Sequence, residues 1–161
     1  MYLVDTNFLG QLASVYPPDV LPSLWEELET SLFSPDVYFH EEVHNETKRW
    51  GHPRLKWYLE HVQPSQIFTP DDEELVAYQK VSDWVVNKRV PAYKDAAINE
   101  FLNVADSWLV ASAYRHGATV VTNEVAAPDG IKKVKIPDVT VAFGVTCINT
   151  LEFLRRLQVS V

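Results

Sequence analysis

Four carboxylates sit beside runs of strand or helix formers, in places where a charge needs a reason. Asp5 ends the apolar run Tyr2, Leu3, Val4, and Glu124 stands just beyond the segment ATVVTN. Asp106 opens ADSWLVASA among Val104, Ala105, Trp108 and Leu109, and Glu46 lies in EEVHNE. Singly, each has an ordinary role. Asp5 and Asp106 suit a helix N-cap or first turn, where a carboxylate accepts free backbone N–H groups, and Glu46 suits a surface. Together they each fall at a strand-to-helix junction or an early helical turn, so one sheet edge can gather them. An ionised Asp5 at the end of a buried strand costs several kcal/mol unless a cation or a set of donors compensates it. Two carboxylates about 4 Å apart repel by about 4 kcal/mol at an effective dielectric near 20, so four do not all stay ionised without a cation. Oxygen-only ligands suit Mg²⁺ or Mn²⁺ better than zinc. An all-carboxylate site of that kind typically meets a phosphate, with one metal activating water and a second stabilising the leaving 3′ oxygen.

A second metal pattern competes. His40, Glu41, Glu42, Val43 and His44 match H-E-x-x-H, in which two histidines one helical turn apart hold zinc and the glutamate acts as general base. The context is wrong for a protease core helix. His40 directly follows the strand formers Val37, Tyr38 and Phe39, Asn45 and Glu46 make the helix polar, and no third ligand is marked. Satisfied surface histidines are the expectation here. A phosphatase-like site would need a second aspartate two residues after Asp5, where Asn7 stands.

The positions of these groups depend on elements the sequence also signals. A strand ending at Asp5 leads to a helix over 6–15, which Tyr16-Pro17-Pro18-Asp19 stops because proline cannot continue it. A second helix is expected over 23–32, a strand over 37–39, and a helix through HEEVHNETKRW. Another helix should start near Pro53 with Leu55, Tyr58, Leu59 and Val62 on one face, followed by a short strand at 66–68. Thr69 as cap, Pro70 at the first position and the acids behind them predict a helix running to about Lys88. Helices are expected over 95–102 and from Ala105 to a stop at Gly117, then a strand through ATVVT. Residues 125–138 read as an irregular loop, GVTCI as a last strand and NTLEFLRRL as a final helix capped by Asn149. Strands alternating with helices predict an α/β fold: a three-layer α/β/α domain with a mainly parallel central sheet. In such sheets ligands bind beyond the carboxyl ends of the strands, at a switch point in strand order, which is where Asp5 and Glu124 would lie.

At 161 residues, 1–161 reads as a single domain, and 47% hydrophobic residues argue against a disordered or fibrous chain. No apolar run approaches the roughly 20 residues of a membrane span, and the first residues lack the features of a secretory signal. Cys147 is the only cysteine, so neither an internal disulfide nor a cysteine zinc site can form. A cytoplasmic protein without membrane attachment is expected. The net charge of −8 opposes loose attraction to nucleic acid, although acids gathered round a dication present a different local charge. Two stretches are locally basic: Lys48, Arg49, Arg54 and Lys56 with Trp50 and Trp57 interleaved, and Lys132, Lys133, Lys135. Such runs are usually solvated faces, with phosphate contact as the alternative. The tryptophans and tyrosines are more often packing than a base-stacking platform.

The segments YLVDTNFL, EVHNE, NVADSWLVASA and ATVVTNE, in this order and spacing, resemble the PIN-domain ribonucleases. The second half of the chain resembles a largely uncharacterised, toxin-like PIN branch. That resemblance spans nearly the whole chain. It implies a Mg²⁺- or Mn²⁺-dependent endoribonuclease with Asp5, Glu46, Asp106 and Glu124 as catalytic metal ligands and Asn7 and Thr122 organising them. It also implies an RNA substrate, an antitoxin protein as partner and a homodimer. Two points depart from the pattern or leave a choice. The family's last acid is usually aspartate, and Glu124 is one methylene longer. The second acid is Glu46, three residues after Val43 as in the branch, with Glu42 one helical turn earlier as the reserve. A noncatalytic protein-interaction module keeping the same fold is the alternative from another class.

Overall fold

In the computed structural model, which describes residues 1–161, every strand runs the same way. The chain begins with β1 (Tyr2–Val4), α1 (Thr6–Val15), α2 (Pro22–Ser31), β2 (Val37–His40) and α3 (Glu41–Trp50). A 3₁₀ turn at Pro53–Leu55 leads into α4 (Lys56–His61), β3 (Ile67–Phe68) and α5 (Asp72–Asp83), which passes into a π-helical turn at Trp84–Lys88. Then follow α6 (Asp95–Leu102), α7 (Ala105–His116), β4 (Thr119–Val121), α8 (Ile136–Ala142), β5 (Cys147–Ile148) and α9 (Thr150–Arg156).

The strand order is β3-β2-β1-β4-β5, wholly parallel. From β1 the chain steps outward through β2 and β3, then returns to build β4 and β5 on the other side. The order therefore reverses between β1 and β4, and that crevice is the switch point. Register places Val4 beside Val121, and the Asp5 N–H donates to the Val121 carbonyl at 2.9 Å. Asp5 thus lies level with Thr122, one residue beyond both strands. Leu3, Val4, Val120 and Val121 have no solvent exposure. Because successive strand residues point to opposite faces, both faces of the sheet are covered, as a three-layer α/β/α arrangement requires. Phe8, Leu9 and Leu12 of α1 pack into the core, as do Leu109, Val110, Ala111 and Ala113 of α7. Phe153 of α9 closes one edge, its ring 5.3 Å from Phe8 and 5.2 Å from Tyr2.

Two element boundaries differ from the sequence expectation. Helix α5 is capped by Asp71, whose side chain accepts the Glu74 N–H at 2.7 Å, rather than by Thr69. Within the expected loop 125–138 the chain turns into α8 at Ile136. The stop of α7 falls as expected: Gly117 follows it in the left-handed conformation at φ 66°, which glycine adopts without a Cβ penalty, and Gly51 ends α3 in the same way at φ 63°.

Candidate active site

Asp5 stands at the N-cap position of α1, yet its side chain makes no cap hydrogen bond. Instead Oδ2 accepts the Thr122 hydroxyl across the crevice at 2.7 Å. That hydroxyl also accepts from Asn7 Nδ2 at 2.9 Å and from the Glu124 N–H at 3.2 Å. One donated and two accepted bonds exhaust a hydroxyl, so its hydrogen has a single direction, toward Asp5. Asn7 in turn accepts the Asn123 N–H at 3.1 Å, and Asn123 Oδ1 accepts from the Thr150 N–H and hydroxyl. The first turn of α1 is thereby laced to the residues after β4 and to the start of α9.

Glu46, in the second turn of α3, bridges two helix starts. Its Oε2 accepts the Thr6 hydroxyl at 2.8 Å and its Oε1 accepts the Ala105 N–H at 3.0 Å. The N-cap residue of α7, Val104, has no side-chain acceptor, so Glu46 supplies one from another helix. Glu124 does the same for α8, with Oε2 accepting the Ile136 N–H at 2.7 Å. The extra methylene relative to aspartate extends its reach toward that N–H. Asp106, on the first turn of α7, has no hydrogen bond that offsets its burial.

Asp106 feels the other three acids, and Asp5 feels Glu124 and Glu46. Burial above all pushes the Asp106 carboxyl up to about 8, with added repulsion from Asp5, Glu124 and Glu46, and Lys133 partly opposes this. Asp5 rises to about 6 for the same leading reason, lowered by the Thr122 hydrogen bond and raised by Glu124 and Glu46. Glu42 contributes to neither. Burial raises the Cys147 thiol to about 11, with Asp5 and Glu124 adding to it, so it is no nucleophile at neutral pH. Two cavities meet at this cluster. One, of about 410 Å³, is lined by Asp5, Thr6, Asn7, Gly10, Ser14, Trp50, Asp106 and Glu124. The other, of about 220 Å³, is lined by Glu46, Glu100, Asp106 and Lys133 with apolar neighbours. Asp106 borders both.

As the side chains stand, no three His, Cys, Asp or Glu groups are arranged to hold a metal ion. The bonding just described gives a reason: both oxygens of Glu46 and one of Glu124 are engaged. Asp5 and Asp106 remain under-partnered, and a hard dication that keeps most of its waters needs only one or two carboxylates. The donor set is all oxygen and Lys133 offsets its charge only in part, which fits Mg²⁺ or Mn²⁺.

The H-E-x-x-H match resolves into two separate arrangements. His40 is wholly buried rather than on the surface; its Nδ1 accepts the Glu42 N–H at 3.1 Å and its Nε2 meets Glu74 at 2.8 Å. His44 Nδ1 lies 3.0 Å from the Tyr58 hydroxyl. Neither ring nitrogen of His40 is free for zinc. The basic stretch around Trp50 also divides: Arg54 donates to the Ala13 carbonyl at 2.6 Å, while Trp50 alone of that stretch lines the acid-bearing cavity. Of the second stretch, Lys133 reaches the cluster. Its loop is held by Arg89, buried to 6% exposure, which donates to the carbonyls of Pro91, Ala127 and Pro128 and lies over the Tyr93 ring. Asp138 accepts the Ala127 N–H on the other side of the same loop. Sequence reasoning passed over Thr6 as the partner of Glu46; a hydroxyl beside an acid at a strand end was the available signal.

A family model described as a domain of unknown function, DUF4411, matches residues 2–161. No curated protein and no solved structure matches the chain. No helix is long and apolar enough to cross a membrane.

Proposed function

We propose that this chain, which belongs to the DUF4411 family, is a Mg²⁺- or Mn²⁺-dependent endoribonuclease of the PIN kind, cutting RNA phosphodiesters at the β1/β4 crevice. The observation that carries this reading is the gathering of Asp5, Glu46, Asp106 and Glu124 at a switch point, where burial first and the neighbouring carboxylates second lift Asp106 to about 8. Asp5 and Asp106 are the residues left to bind a dication directly. Glu46 and Glu124, already tied to helix starts, set the spacing of the walls and would accept hydrogen bonds from the ion's surroundings. Thr122, aimed by Asn7, keeps one Asp5 oxygen occupied so that the other faces the cleft. When bound, the ion supplies a Lewis acid for a phosphate oxygen and a water acidic enough to attack phosphorus.

Purified protein incubated with RNA should cut it in Mg²⁺ or Mn²⁺ and not in EDTA. Asp5→Asn and Asp106→Asn should remove more than the roughly 10- to 100-fold that outer partners such as Thr122→Val contribute. Cleavage surviving both aspartate changes overturns the reading. RNA binding without cleavage in any metal favours the noncatalytic interaction module instead. The resemblance alone supports a cytoplasmic toxin held by an antitoxin over the acidic cleft, and a homodimer. Growth arrest on expression, lifted by Asp106→Asn, is the result expected of a toxin; unimpeded growth removes that role and leaves the nuclease reading to the cleavage assay.

A further inference from the structure

On the ribonuclease reading, we infer that Trp50 is a stacking platform for an unpaired nucleobase at one mouth of the cleft and Lys133 a phosphate contact at the other, so that cutting falls in single-stranded RNA. Trp50 ends α3 and remains 48% exposed, although it lines a cavity whose other walls are acids, an amide, two hydroxyls and glycine. It is the one large apolar side chain there. The edge of its benzo ring rests on α1 at Gly10, where an added Cβ would come within 3.1 Å of Cη2, and His52 meets it edge-on at 5.4 Å. The indole is thus positioned from two sides while about half its surface stays in water. Simple packing would use a smaller or more buried group, since an exposed indole in a polar wall gains little from burial.

The opposite mouth has the complementary chemistry. Lys133 is exposed and lines the second cavity with Asp106 and Glu46. Since the cavities share Asp106, a strand crossing both brings a phosphate over Asp106, a base to Trp50 and a neighbouring phosphate to Lys133. A base held in a duplex already stacks on its neighbours and cannot offer a face to the indole.

Binding is measured on Asp106→Asn protein, so that it does not depend on cleavage, with a short oligoribonucleotide alone and annealed to its complement. Single-stranded RNA should quench tryptophan fluorescence, and duplex should not. Adding Trp50→Ala should abolish the quench and weaken binding about 5- to 100-fold, as loss of one aromatic stack does, while Trp50→Phe restores affinity without the quench. Lys133→Ala should weaken binding and reduce the salt slope by about one phosphate contact. Gly10→Ala, which crowds the indole, should shift the quench. Unchanged affinity in Trp50→Ala, with circular dichroism intact, overturns the proposal. Wild-type cleavage in Mg²⁺ is scored separately, so loss of the stack and loss of the nuclease reading give different results.

Discussion

Asp106 and Asp5 set the pH behaviour of the protein without metal. A carboxyl whose folded value stands above its unfolded one binds its proton more tightly when folded. Their contribution to stability is therefore greatest below about 4, where both states are protonated, and is lost as pH rises through about 6 for Asp5 and about 8 for Asp106. Melts in EDTA should show Tm falling from pH 5 to pH 9, and Asp106→Asn should flatten the fall. At pH 9 that variant should be more stable than the parent by about 1–3 kcal/mol, taking ~1.4 kcal/mol per unit and discounting for partial exposure. An equal pH slope in both proteins would contradict the buried repulsion. His40 makes the opposite case at the same scale. Its removal in His40→Ala leaves Glu74 buried, with Oε1 already lacking a partner, so a loss of about 3 kcal/mol or more is expected on chemical denaturation. Any shift that zinc gives in the Tm of the parent should persist in His44→Ala.

At the scale of elements, Glu46 has two roles that substitution can separate. Glu46→Gln keeps an acceptor for the Ala105 N–H, so stability should hold within about 0.5 kcal/mol while RNA cleavage drops. Glu46→Ala also uncaps α7 and should lose about 1 kcal/mol more. Equal cleavage in Glu46→Gln and parent would leave the residue a purely structural cap. Much of the framework was legible because its stops are strong: Pro17 and Gly117 end helices, and Asp5 and Glu124 follow short runs of apolar or β-branched residues. Two features were less visible. Thr69 and Asp71 are both good caps, and only the fold chooses between them. Helix α8 hides in the β-branched run Ile136, Val139, Thr140, Val141, and Pro137 with Asp138 in its first turn was the signal that could have found it. The convergence of four acids, from the β1–α1 junction, α3, α7 and the loop after β4, was an expectation from order and resemblance; the backbone partners of Glu46 and Glu124 lay beyond it, because backbone N–H groups leave no mark in a sequence.

For the molecule as a whole, the proposed dication, binding only the folded state at the crevice, would stabilise it by mass action, by about 2.7 kcal/mol at a hundred times its Kd. Tm should therefore climb with Mg²⁺ or Mn²⁺ at pH 7.5, more steeply than at pH 6, since the ion must displace the Asp106 proton. Asp106→Asn should lose most of that climb. A parent Tm indifferent to both metals would count against a dication site in the folded protein. The net charge of −8 sets the frame for RNA as well: approach must rely on few local cations, so the loop carrying Lys132, Lys133 and Lys135 matters more than the overall field.

That loop contains lysines, glycine and proline in an exposed stretch, the usual target of trypsin. Arg89 grips the carbonyls of Ala127 and Pro128 just ahead of it. A chain clamped so near its scissile bonds cannot extend into a protease groove. Digestion of the native protein should spare Lys132 and Lys133, and Arg89→Met should turn them into the first nick detected by mass spectrometry.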